Sequence, residues 1–107
     1  MPRPAAGRSA GIAALERKAN EAAQLLKLLA NENRLLILCR LVQVREVPVN
    51  DLAAAVGISQ SALSQHLARM RGEGLLATRR EAQTIYYRIA DPDAKRMLTL
   101  LKDIYCA

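Results

Sequence analysis

The chain has 107 residues, 51% of them apolar, and 16 basic against 10 acidic side chains, for a formal net charge of +6 at neutral pH. That length suits one domain, and a sequence pI near 9.9 favours polyanionic partners, nucleic acid before an anionic membrane. Two cysteines are too few for a secreted disulfide scaffold, no apolar run approaches the roughly 18–20 residues of a membrane span, and the lack of Trp and Phe leaves an aliphatic core.

Residues 1–11, "MPRPAAGRSAG", are rich in Pro, Gly and Ala. With no apolar stretch behind their charges they predict a flexible tail rather than a signal peptide. The expected location is cytoplasmic, a reducing compartment where a lasting disulfide is not the default. Residues 12–107 then form the domain. From Ile12 to Leu29 the pattern is helical, with Leu15, Ala19, Ala22, Leu26 and Leu29 at three- and four-residue steps. Asn31 can end this helix and cap the next. The second helix runs to about Val44, and between Leu35 and Val42 only Arg40 is polar, so it belongs at the centre.

Pro48 is tolerated at a helix start. A short third helix, "VNDLAAAV", is stopped by Gly57, and Ser59 caps a fourth from Gln60 to about Arg71. "GEG" breaks it. "LLATRR" and "TIYYRIA" flank a polar turn, "EAQ", and Ile85, Tyr87 and Ile89 alternate with Tyr86 and Arg88 as in a half-buried strand. Asp91-Pro92 opens a last helix with one stripe of Ala94, Met97, Leu98, Leu101, Ile104 and Tyr105. The expected fold is mainly α: five helices, with a two-stranded β-hairpin between the fourth and fifth. A lone hairpin is barely stable, so it must lie against the helices.

Residues 49–71 fit a helix-turn-helix. In its second helix Leu63, Leu67 and Met70 share one side, and Ser61, Ser64, Gln65 and Ala68 the other. A small polar face suits the major groove: Gln can bond adenine bidentately and Ser can serve base or phosphate. Gln60, Ser61, Ser64 and Gln65 are the candidate reading residues. Arg69, Arg71, Arg79, Arg80 and Arg88 cluster around the hairpin and are candidate phosphate contacts. The hairpin becomes a wing whose tip, near Gln83 and Thr84, can reach a minor groove. An ordinary solvated face is the competing reading of each residue alone. The short leading helix and the basic hairpin beside it favour DNA.

"LLKLLANENRLLILCRL", "DLAAAVGISQSALSQHLARMRGEGLL" and "TRREAQTIYYRIAD" together resemble the ArsR/SmtB family of winged helix-turn-helix repressors, over nearly the whole chain from about residue 20. "SQSALSQHLARMRGEGL" is much more specific for that family than a generic helix-turn-helix. The resemblance implies a homodimer joined through the first and last helices and bound to double-stranded operator DNA. Glu32 departs from the Pro that many members carry there. Many members sense metals, but the single His66, with Asp93 and Asp103 on the last helix, makes no tetrahedral ligand set. No metal or other cofactor is expected, and no membrane partner.

Cys39 lies in the second helix and Cys106 near the end of the chain. From the residues alone, Cys39 reads as a small core residue and Cys106 as incidental. A regulator with silent cysteines and another inducer stays open, as does a small thiol enzyme, although neither Cys has a visible general base nearby. One Cys in the second helix and one in an "IYC" terminus resemble the family's thiol-sensing branch, of haemolysin-activator and biofilm-growth-repressor type. That resemblance implies that reactive sulfur species or oxidants join Cys39 to Cys106 through a disulfide or polysulfide bridge and thereby change operator affinity.

Overall fold

The computed structural model describes residues 10–105; residues 1–9 of the expected tail and Cys106 lie outside the described residues. Helix α1 (Ala10–Leu29) starts ahead of the expected Ile12. Helix α2 (Glu32–Gln43) opens where the Asn31 side chain accepts a hydrogen bond from the Arg34 backbone N–H at 3.1 Å, which satisfies one of the helix's orphan donors. Strand β1 (Val47–Pro48) leads directly into helix α3 (Val49–Val56). That helix ends on Gly57 at φ +77°, a conformation glycine adopts without a Cβ clash. Helix α4 (Gln60–Gly72) opens on Ser59, whose Oγ accepts from the Ala62 N–H at 3.1 Å.

Strands β2 (Leu76–Glu81) and β3 (Thr84–Ile89) form the hairpin. Helix α5 (Pro92–Tyr105) follows, its first turn capped by Asp91 Oδ1, which accepts from the N–H groups of Asp93 and Ala94 at 2.9 and 3.3 Å.

The expected two-stranded hairpin is in fact part of a three-stranded antiparallel sheet in the order β1-β3-β2. Val47 pairs with Tyr87 and Pro48 with Tyr86. The physical reason is the open edge of β3: the chain leaving α2 pairs with it and stitches the marginal hairpin to the helices. Pro48 lacks a backbone N–H but is tolerated because β1 is an edge strand. The turn also differs from expectation. Glu81, expected in the turn "EAQ", is the last residue of β2 and faces Thr84, so Ala82 and Gln83 alone make the turn, while Thr84 opens β3 as the strand pattern predicts.

Helix α2 is central as its sequence predicts, packing on α1, α3, α5 and β3. Its Ile37, Leu38 and Leu41 are buried with Leu52 of α3, Leu63, Leu67 and Met70 of α4, and Leu98 of α5. Tyr87 and Ile89 close this core from the sheet. The apolar stripes of α1 and α5 are only partly used. Leu29, Ala94 and Leu98 are buried, whereas Leu15, Leu26 and Ile104 of the stripes are 63%, 53% and 59% exposed, and Leu100, outside the α5 stripe, is 60% exposed. No helix among the described residues is long and apolar enough to cross a membrane.

Candidate nucleic-acid interface and thiol groove

The helix-turn-helix is α3, the Gly57 turn and α4. The buried Leu63, Leu67 and Met70 fix the rotation of α4 about its axis. With that face turned inward, Gln60, Ser61, Ser64, Gln65 and Ala68 are all exposed. The structure thus brings the four candidate reading residues onto one open surface of one helix. Arg69 and Arg71 lie in its last turn, where cations also complement the helix dipole. His66 is half-buried between the two faces.

The wing follows at once. Alternation puts Leu76, Thr78, Tyr87 and Ile89 on one face and Ala77, Arg79, Glu81, Tyr86 and Arg88 on the other. Arg69, Arg71, Arg80 and Arg88 are exposed, and among the described residues none of them has a carboxylate within ion-pair distance. Gln83 is exposed at the tip and Thr84 is half-buried beside it.

Arg79 is placed differently. Its Nε donates to both Glu46 carboxylate oxygens at 2.8 and 2.9 Å, its Nη2 lies 2.8 Å from Glu46 Oε1, and its Nη1 donates to Glu81 at 2.9 Å. The guanidinium also lies 4.4 Å from the centroid of the Tyr86 ring, a cation–π contact. The Arg79 hydrogen bond holds the Glu46 carboxyl below its ordinary value against a smaller opposing desolvation, and the charges of Arg79, Arg88 and Arg45 act in the same direction. The hydrogen bonds that Arg79 donates to Glu46 and Glu81 raise its pKa in return. Sequence reasoning named Arg79 and missed Glu46. No local pattern marks that pairing, since the partners are 33 residues apart in the chain.

On the side formed by α2 and α5, a groove of about 430 Å³ is lined by Glu32, Asn33, Leu35, Leu36, Cys39, Leu101 and Tyr105. Cys39 is half-buried there. Tyr105, the last described residue, precedes Cys106 in the sequence. Among the described residues no cluster of three or more His, Cys, Asp or Glu side chains could hold a metal ion.

A helix-turn-helix with a small polar reading face, followed by a basic β-hairpin, defines a winged helix-turn-helix DNA-binding protein. The family model described as bacterial regulatory protein, arsR family, matches residues 31–78, from the cap of α2 into β2. The chain is 47% identical over 92 residues to the transcriptional activator HlyU of Vibrio cholerae, covering 86% of this chain and 84% of that protein. It is 44% identical over 96 residues to the biofilm growth-associated repressor of Agrobacterium fabrum, covering 90% and 81% respectively. The solved structure of reduced HlyU from Vibrio cholerae superposes with a TM-score of 0.82 at 46% identity, over 87% of this chain and 97% of that one. The repressor BigR from Xylella fastidiosa superposes at 0.78 with 39% identity, over 86% and 90%. The chain belongs to the ArsR family of bacterial regulatory proteins and is a DNA-binding transcriptional regulator.

Proposed function

We propose that this regulator is a homodimeric repressor whose operator affinity is switched by a bridge between Cys39 and Cys106. The observation that carries the switch is the shared groove: Cys39 on α2 lines the same depression as Tyr105, the neighbour of Cys106 in sequence. A direct disulfide needs Cα atoms about 4.4–6.8 Å apart, and inserted sulfur atoms relax that limit. With an organic persulfide as oxidant, one thiolate takes the outer sulfur and releases the thiol. The second thiolate then displaces that sulfur as hydrogen sulfide. The two cysteines lose two electrons and two protons, and the sulfane sulfur gains both. With a second persulfide equivalent both cysteines become persulfidated; the outer sulfur of one then attacks the inner sulfur of the other, hydrogen sulfide leaves, and the bridge that remains is a trisulfide.

A bridge ties the end of α5 to the middle of α2. An allosteric coupling of about 1–3 kcal/mol, roughly a 5–150-fold affinity change, is enough to empty an operator. Ser61, Ser64 and Gln65 read bases, Gln60 supports them, and Arg69, Arg71, Arg80 and Arg88 contact phosphate. Gln83 and Thr84 bring the wing tip to the minor groove. The same groove favours a second reading, in which a small apolar inducer lodges beside Cys39 without thiol chemistry. An operator titration of wild type and Cys39→Ser, each with and without a persulfide donor, separates the two. The switch predicts that only wild type is released, with the change in intact mass counting the sulfur atoms added. Equal release of both proteins refutes it.

A further inference from the structure

We propose that Glu46 and Arg79 are positioning residues for operator binding: they clamp the wing to the segment leaving α2, so that Arg80, Arg88 and the Ala82–Gln83 turn meet DNA in a fixed register. The proposal rests on the reading that α4 and the wing bind the operator. It changes the role of Arg79, which its sequence context assigns to phosphate.

Three observations carry it. First, the donor fork is already committed: Nε and Nη2 face Glu46 and Nη1 faces Glu81, at 2.8–2.9 Å. Bidentate geometry is what makes arginine valuable on phosphate, and here that fork is spent inside the protein. Second, the contacts span every part of the sheet. Arg79 and Glu81 come from β2, Tyr86 from β3, and Glu46 from the residue just before β1. Continuing the β1–β3 register by one residue sets Glu46 level with Arg88. One guanidinium therefore ties together two strands and the chain entering the third. Third, the charges oppose a phosphate role. Two carboxylates hold the Arg79 cation, so this side chain brings no net positive charge to a phosphate, and the positive field there comes from the neighbouring Arg88 and Arg45. The two carboxylates cost affinity by charge alone, and the geometry supplies the compensating reason for them. The clamp is half-exposed, at 46% for Arg79 and 26% for Glu46. Exposed single pairs are worth little, and bidentate networks are the exception.

The test is an operator titration with Glu46→Gln, Arg79→Gln, Arg79→Lys and the double variant E46Q/R79Q, each checked by thermal unfolding. Glu46→Gln makes the protein more basic, so charge alone predicts tighter binding. Positioning predicts about three- to fivefold weaker binding, the upper range of an exposed pair. Arg79→Lys keeps the charge and loses the fork, and is expected to bind as weakly as Arg79→Gln. The double variant is expected to be no weaker than either single one, because both break one contact. The dependence of affinity on salt is expected to stay unchanged in Arg79→Gln. Tighter binding by Glu46→Gln, or wild-type affinity in Arg79→Lys with a salt slope reduced by about 0.9 in Arg79→Gln, overturns the clamp and puts Arg79 on phosphate. Gln65→Ala is run alongside. If it retains full affinity, the reading-helix assignment fails, whereas the clamp is judged by the Glu46 and Arg79 variants alone.

Discussion

Glu81 and Thr84 stand directly opposite each other across the end of the wing, with only Ala82 and Gln83 between them. So short a connection forces a left-handed residue, and Ala82 takes it, at φ +54°. Two-residue hairpin turns favour Gly, Asn or Asp at such positions because a Cβ crowds the following carbonyl. Ala82→Gly relieves that crowding and gives back part of the gain through the freer unfolded chain. The expected net effect is a stabilisation of about 0.5–1 kcal/mol. Urea unfolding of the two proteins measures it, and a less stable variant would mean that the alanine is not strained there.

Glu46 makes the wing sensitive to acid. Its carboxyl is held below the ordinary value of 4.5, chiefly by the Arg79 hydrogen bond. A carboxyl that ionises more readily in the folded than in the unfolded chain contributes stability above its unfolded pKa. That contribution is lost as pH falls through the lower, folded value. The facing charges are Arg79, Arg88 and Arg45, with Glu81 sharing Arg79. Wild type is therefore expected to lose more stability than Glu46→Gln as pH is lowered below 4.5. At neutral pH the stability difference between the two is steady. Parallel unfolding titrations check this, and identical acid profiles would show that the ion pair adds no pH-dependent stability.

Side chains that act locally made most of the fold legible. Asn31, Gly57, Ser59 and Asp91 each mark a helix end through a bond or a backbone angle set within a few residues, and each does so in the structure. The rotation of α4 was legible for the same reason, since Leu63, Leu67 and Met70 follow the helix period. Strand β1 was not. Two residues carry no period, one of them is a proline, and their partner lies about forty residues on, at Tyr86 and Tyr87. The Glu46–Arg79 pair was hidden in the same way. A sequence shows that arginines cluster, but not that one is held by a carboxylate from a distant segment. Cys39 beside Tyr105 could be approached only through a resemblance, because spacing along the chain does not say which ends of two helices meet.

Base reading and phosphate contact separate by their response to salt. Arg69, Arg71, Arg80 and Arg88 are exposed around α4 and the wing. Replacing any one of them by Gln is expected to weaken binding to operator and to unrelated DNA alike and to lower the salt slope by about 0.9. Gln65→Ala is expected to leave the slope intact and to weaken operator binding selectively by about 1–3 kcal/mol. Titrations at several salt concentrations on both DNAs distinguish the two classes. A Gln65→Ala protein that loses affinity equally for both DNAs would move Gln65 from reading to positioning.

The apolar faces left open on α1 and α5 fit the proposed homodimer. Leu15, Leu26, Leu100 and Ile104 are each more than half exposed on a single chain, and patches of that kind mark association surfaces. If two copies meet through these helices about a two-fold axis, every substitution is felt twice. Ile104 is 59% exposed, so covering the rest of it is worth about 1–1.5 kcal/mol, and losing it on both subunits removes about 2–3 kcal/mol. That raises the dimer dissociation constant by roughly 30–150-fold. Ile104→Ala is expected to shift the protein towards monomer in sedimentation equilibrium and to weaken operator binding more at low than at high protein concentration. Leu36→Ala is a useful companion, because its exposed side chain lies on α2 beside the Cys39 groove. A protein that stays dimeric with Ile104→Ala and Leu26→Glu combined would place the interface elsewhere on the molecule.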